Sequence, residues 1–382
     1  MSDLRPARHV AAAALVLGAC ITVHAHEDEA AAAARIPQRV ALLQRAQSEL
    51  EGGDANAALD DFERAAMMLH AADAELGLIR AAMQDGQYRR ALAFCAHTAG
   101  EHTDDADGAA LYAWLLRIGG QGELAARTLA DARALAPGDA VAAAVEVAFA
   151  TTPPVATGLL REPSHRMAPW PVTATDQAPP PATARFASNA VLVDDGAAAL
   201  LPLSALPSGA GARLWVRNGL GQATAASVEA TDASLAAHGL ARLRLQSRLS
   251  TGASKASDAR APFAGSPGYA MRFGSGNEPA WPTLAQGFLG SLVGDADVRR
   301  LGFDAAPGAA VLDAKGVLVG IASGTVDGQV AWVPLAAIGR AGAPPAQDAT
   351  SPARLGLALV APDEIYEAGL RRVLQVLVDA PR

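Results

Sequence analysis

The stretch Phe303–Ser323 reads FDAAPGAAVLDAKGVLVGIAS. Two apolar runs, Ala310–Leu312 and Val317–Ile321, flank Asp313-Ala314-Lys315-Gly316, where aspartate opens and glycine closes a tight reversal. That pattern predicts a buried β-hairpin. Around it, short apolar runs bounded by turn residues fall at 189–193, 197–201, 213–216, 240–245, 268–273, 285–292 and 329–333. Short strands in such a series predict a sandwich or barrel over residues 186–340.

The chain has 382 residues, enough for two or three domains, and 51% of them are apolar. Aromatic residues make up only 4%, and alanine dominates the apolar share, so closely packed small-residue helices are expected in part of the chain. A net charge of −8 gives no basic footprint for nucleic acid.

At the N-terminus, Arg5, Arg8 and His9 precede an apolar run from Val10 to Val23, and Val23-His24-Ala25 follows as a small-x-small cleavage site. This is the pattern of a signal peptide over residues 1–25, too short to span a bilayer. A competing reading takes Leu17-Gly18-Ala19-Cys20, which resembles the lipobox of bacterial lipoproteins, with Cys20 as the lipidated residue. Both place the mature protein outside the cytoplasm, periplasmic in the first case and anchored at the outer membrane in the second. The other cysteine, Cys95, is then unpaired in an oxidising compartment and is expected to be buried. His24, His26 and the acids Glu27-Asp28-Glu29 have no spacing specific for metal. No metal site and no cofactor are expected.

Residues 36–150 carry an internal repeat. The segment beginning Gly53-Asp54 recurs from Gly86-Gln87 and again from Gly122-Glu123, aligning Ala58, Ala91 and Ala125 at steps of 33 and 34 residues. Helices are predicted at about 37–51, 55–69, 72–84, 87–99, 106–118, 121–135 and 139–149. The period resembles the tetratricopeptide repeat, with Ala58, Phe62 and Ala65, then Ala91, Cys95 and Thr98, then Ala125, Leu129, Ala132 and Pro137 at its packing positions. That resemblance implies a concave groove with Gln47, Arg80, Trp114 and Arg117 turned into it. There the arginines would clamp a partner's carboxylates and Trp114 would anchor a side chain. The alternative leaves Trp114 in the core and the arginines on a solvated face.

Prolines 153, 154, 163, 169, 171, 179, 180 and 181 predict a semi-rigid linker over 151–185, with Trp170 free to dock on a neighbour. A second spacer is expected over 341–360. Pro362–Arg372 then reads as a helix and Val373–Val378 as a strand.

The hairpin at Val311–Ile321 resembles the strand pair that follows the nucleophile in trypsin-like serine proteases, especially the bacterial HtrA-type branch. In that family a Gly-x-Ser-Gly-Gly-Pro turn leads into the hairpin. Here the turn positions fall, without a gap, on Ala305, Ala306, Pro307, Gly308, Ala309 and Ala310, and a gapped reading removes the serine altogether. The strand that delivers the family's histidine reads Leu200-Leu201-Pro202-Leu203-Ser204, and the strand its aspartate precedes reads Gly239-Leu240-Ala241-Arg242-Leu243. The resemblance therefore implies a double β-barrel with Ser204, Gly239 and Pro307 in the places of the catalytic triad, and no catalytic residue. It also implies that the C-terminal helix and strand, 361–382, stand for the family's missing lead-in and complete the barrel in permuted order. The rivals are a truncated duplicate and an exposed tail.

The expected molecule is a multidomain α+β protein with N-terminal helical repeats and a C-terminal all-β double barrel. Its expected role is non-catalytic binding of a protein or peptide partner in the cell envelope, with no nucleic acid, and with membrane contact only through Cys20. Two other roles stay open: an active serine endopeptidase using Ser266 or Ser275 with His238, and an outer-membrane lipoprotein assembly factor.

Overall fold

The computed structural model describes residues 35–174, 177–207, 211–230, 232–252, 262–293, 296–326, 328–338 and 360–380. The leader, Cys20 and nearly all of the 341–360 spacer lie outside them.

Seven helices come first: α1 (residues 35–51), α2 (Ala55–Met68), α3 (Ala72–Asp85), α4 (Tyr88–Glu101), α5 (Ala106–Ile118), α6 (Gly122–Leu135) and α7 (Ala140–Phe149). Their ends are set locally. Asp54 accepts a hydrogen bond from the Ala57 amide at 3.1 Å and Asp139 from the Ala142 amide at 2.6 Å, each satisfying a first-turn donor. Consecutive helices pack on one another. The aligned residues Ala58, Ala91 and Ala125 are all fully buried, as are Cys95 and Thr98, while Phe62 and Leu129 fill the spaces beside them.

Two antiparallel barrels follow. The first is built from β2 (Arg185–Val193), β3 (Ala198–Pro202), β4 (Arg213–Asn218), β5 (Gln222–Val228) and β6 (Leu240–Leu245). A short β1 (Val172–Thr173) adds to β5 in parallel. The second holds β7 (Pro267–Arg272), β8 (Thr283–Val293), β9 (Ala296–Leu301), β10 (Ala310–Asp313), β11 (Leu318–Val326) and β12 (Gln329–Pro334), with β10 returning to β7. The short helix α8 (Ala233–Ala237) lies between β5 and β6, and α9 (Pro362–Gly369) leads into β13 (Val373–Asp379).

The sixth strand of the first barrel is β13. It is hydrogen-bonded along its length to β2 on one side and β4 on the other, and β5 pairs with β6 to close the ring. Starting from β13, the neighbours run β13-β2-β3-β6-β5-β4 and back. Starting from β7, they run β7-β8-β9-β12-β11-β10 and back. The two orders are the same once the last strand of the chain is counted as the first. The end of β13 also meets the start of β2, Val378 facing Arg185, with Thr183 donating to Asp379 at 2.7 Å. In unpermuted order a tight turn would join these ends.

Alternation along β13 divides its work. Leu374 and Val376 point into the first barrel with Leu192, Leu201, Val216 and Leu243, while Gln375 on the opposite face accepts from buried Arg217 at 3.0 Å. The second barrel packs around Val311, Leu289, Leu301 and Trp332. A third, larger cluster runs from Ala46 on α1 through Tyr88 and Trp170 to Val191, Ile321 and Tyr366, so helices and barrels share one core.

The Pro-rich stretch differs from the spacer expected of it. Ala156, Leu160, Met167, Ala168 and Trp170 are buried in the shared core, the turn at Leu160 against α7 and Trp170 against α3. Arg166 organises the strap, donating to the carbonyls of Arg161, Ala168 and Pro169 at 3.0, 3.0 and 2.7 Å and lying 4.9 Å over the Trp170 ring. Gln84 then ties strap to barrel: its oxygen accepts the Trp170 amide at 2.8 Å and its nitrogen donates to the Leu220 carbonyl at 2.7 Å. Proline density blocks regular structure but does not prevent burial when the carbonyls find side-chain donors.

Candidate functional site

The three positions that the sequence marks for a reaction centre lie in loops at strand ends. Ser204 sits in a turn (Leu203–Ala205) directly after β3 and is exposed. Gly239 follows α8, and the Leu203 amide donates to its carbonyl at 2.8 Å, so the Ser204 and Gly239 loops are adjacent. Pro307 lies before β10 in the second barrel, exposed, and its carbonyl faces the Ser188 hydroxyl of β2 at 3.4 Å. Gly308 presses on the same strand: a Cβ there would lie 1.9 Å from the Asn189 carbonyl oxygen. Only glycine tolerates this approach, at a φ of +81°.

Strand pairing and loop contacts relate the three. Val191 pairs with Leu200 and Leu192 with Ala199, while Pro202 pairs with Leu240. Pro307 and Gly308 meet β2 at Ser188 and Asn189, just before that pairing begins, and the Ser204 and Gly239 loops meet beyond the Pro202–Leu240 end of the β3–β6 pair.

The chemistry at these loops is sparse. Pro307 has no amide hydrogen, the Gly308 amide donates to the Ala322 carbonyl at 2.7 Å, and the Ala309 amide donates to Ala306 at 3.0 Å. Two consecutive amides are thereby engaged, and none at 307–309 is left to hold an oxyanion. His238 is next to Gly239, but its Nδ1 is at 2.8 Å from the Ser234 carbonyl. Among the described residues no hydrogen bond joins His238 to Ser266, which is buried before β7, or to Ser275, which is exposed after it.

Between the barrels is a cleft of about 680 Å³. Leu192, Leu200 and Leu235 of the first barrel and Leu318 and Leu335 of the second give it an apolar floor. Asp194, Asp195, Glu229 and Asp232 give it an acidic rim, with Arg242 bridging Asp194 and Glu229. Its described lining has one hydroxyl, that of Thr251, and no imidazole.

The β region is a trypsin-like double barrel. No family model matches the chain, and no curated protein matches it. Among solved structures, the crystal structure of the MamO protease domain from Magnetospirillum magneticum, in apo form, is 20% identical to this chain. It covers 41% of this chain and 87% of its own length with a TM-score of 0.31. The fold statement rests on the strand order above, not on this likeness.

The expected groove of the helical region is not open. Arg80 is 5% exposed and donates to the Arg166 carbonyl of the strap at 3.2 Å; burial lowers its guanidinium to about 10, leaving it protonated at neutral pH. Trp114 is 2% exposed and packs against Phe149, which Arg117 covers from 5.7 Å. Gln47 is half-buried on α1 and donates to Glu51 at 2.9 Å. The four do not converge on a shared surface, because the chain's own strap occupies the place of a ligand over Arg80. Cys20 lies outside the described residues. Sequence reasoning passed over a different group in the helical region, where His70, His97 and His102 gather around Glu75.

Among the described residues, no helix is long and apolar enough to cross a membrane.

Proposed function

We propose that this chain is a non-catalytic protein-interaction protein of the cell envelope, an adaptor or scaffold. In this reading a tetratricopeptide-like helical array is fused to a trypsin-like domain that lacks its proton relay. The observation that carries the reading is the residue set Ser204, Gly239 and Pro307 in the loops at the ends of β3, α8 and the lead into β10. Acyl transfer by this fold needs a hydroxyl nucleophile, an imidazole to take its proton and a carboxylate to orient the imidazole. Losing one member costs orders of magnitude in rate, and losing all three leaves binding alone. Engagement of the amides after Pro307 supports the same reading.

Export is supported by the basic start, the apolar run and the small-x-small site before His26. The repeat reading is supported by burial of all three aligned alanines. With Arg80 and Trp114 covered, the cleft between the barrels is a surface on which an extended partner fits. The test is incubation of the purified chain with unfolded casein: no cleavage above a buffer control is expected. Cleavage that co-purifies with the chain and is lost in Ser266→Ala or Ser275→Ala would replace this reading by that of a displaced hydrolase.

A further inference from the structure

Glu75 lies in the first turn of α3 and is only 4% exposed. A buried carboxylate is costly unless its charge is matched. Among the described residues its partners are no lysine or arginine but three imidazoles and one hydroxyl. The Nε2 atom of His70 is 2.6 Å from Oε1, that of His97 is 3.7 Å from Oε1, and that of His102 is 3.4 Å from Oε2. His70 and His97 also face each other through their Nε2 atoms at 3.4 Å. The Thr98 hydroxyl donates to Oε2 at 2.7 Å and holds the carboxylate in place.

We propose that His70, Glu75 and His102 bind one transition-metal dication of the zinc class, with His97 next to them. Tetrahedral zinc with ligand bonds of about 2.0–2.1 Å separates its ligand atoms by about 3.3–3.4 Å. One donor atom from each of the three residues lies within 4.8 Å of the other two, and the short His70–Glu75 approach opens by rotation of the exposed His70 ring. All three imidazoles present the same nitrogen. His102 Nε2 is buried without a hydrogen-bond partner and lies beside Glu75. A cation between these atoms answers the carboxylate's charge. Two imidazole nitrogens and one carboxylate oxygen suit zinc, cobalt or nickel better than the hard cations magnesium and calcium. Thr98 is the outer partner that fixes a ligating carboxylate. The site would pin the α2–α3 turn to the end of α4.

The test is calorimetric titration of the untagged, chelator-stripped full chain with zinc chloride, with cobalt(II) absorption in the visible range as an independent readout. Saturable binding of about one equivalent is expected near neutral pH. His70→Ala, at an exposed position, should weaken binding at least about tenfold without unfolding the chain, and His238→Ala should leave it unchanged. Cobalt should give the intense visible bands of a tetrahedral complex. Absence of saturable zinc binding, or binding unchanged in both His70→Ala and the double variant His70→Ala/His102→Ala, overturns the proposal.

Discussion

The ring of Tyr88 on α4 lies 4.3 Å, centroid to centroid, from the ring of Tyr366 on α9, and both side chains are fully buried. Tyr88 donates to the Leu115 carbonyl at 2.9 Å and Tyr366 to the Pro282 carbonyl at 2.7 Å, so one aromatic pair links the helical region, the C-terminal helix and the second barrel. Arg371 adds a bond to the Asp85 carbonyl and Glu367 accepts the Arg89 amide at 2.9 Å. Tyr366→Ala should therefore cost about 3–5 kcal/mol, the usual loss for a buried aromatic. Tyr366→Phe should cost about 1 kcal/mol. Urea unfolding followed by far-ultraviolet circular dichroism and by tryptophan fluorescence checks both, and the two signals should move together because helices and barrels share a core.

Removing the C-terminal strand should open the first barrel. Without residues 361–382, β2 and β4 each expose an unpaired edge, which promotes aggregation. The truncated chain is expected to be insoluble or expanded, and a synthetic peptide of that sequence should restore compact folding when added during refolding. Leu374→Ala, at a fully buried position inside the barrel, should cost about 2–5 kcal/mol. An unchanged unfolding midpoint in the truncated chain would show that β13 does not close the ring.

Cys95 is fully buried, and desolvation pushes its thiol far above the ordinary range. Thiolate is the reactive form, so the native protein lacking residues 1–25 should not react with a water-soluble disulfide reagent. In denaturant the same thiol should titrate at once.

Acid should weaken the α1–α2 corner. Asp61 is 4% exposed; its hydrogen bonds to Arg45 hold its carboxyl below the usual carboxylate range against the opposing effect of burial, and Arg64 assists at 3.0 Å. A depressed pKa in the folded state contributes stability that is complete above the unfolded value of about 3.9 and is lost as pH falls through the folded value. Asp61→Asn should flatten the acid limb of the stability profile and leave less stability at neutral pH. Thermal melts across the acid range in both proteins check this.

Residue patterning carried much of this fold and less of its assembly. The seven N-terminal helices lie within two residues of the expected ranges, because alanine spacing, Asp54 and Asp139 caps and glycine turns act locally; the C-terminal helix stops at Gly369, three residues short of the expected end, and α8 was not expected. The hairpin at Val311–Ile321 formed as read, with Asp313 accepting the Lys315 and Val317 amides at 2.9 Å. Three strands escaped notice: the two-residue β1, inside the Pro-rich stretch, and β5 and β9, which read QATAASV and ADVRRL, are poor in branched apolar residues and are held as strands by neighbours in a closed ring. Burial of the Pro-rich strap was hidden for a related reason, since its stabilising partners Gln84 and Arg80 lie on α3, far away in sequence. The histidine cluster had only a faint trace, two pairs five residues apart, His70 with Glu75 and His97 with His102. That spacing means nothing until the α2–α3 turn is packed beside the end of α4.

Reaction of the intact chain with a fluorophosphonate, read by mass spectrometry, probes most directly whether any serine is activated. With Ser204, Gly239 and Pro307 in the places of the catalytic residues, no adduct is expected after prolonged exposure at neutral pH. Stoichiometric labelling of a single serine, abolished by His238→Ala, would contradict a domain that binds without catalysing.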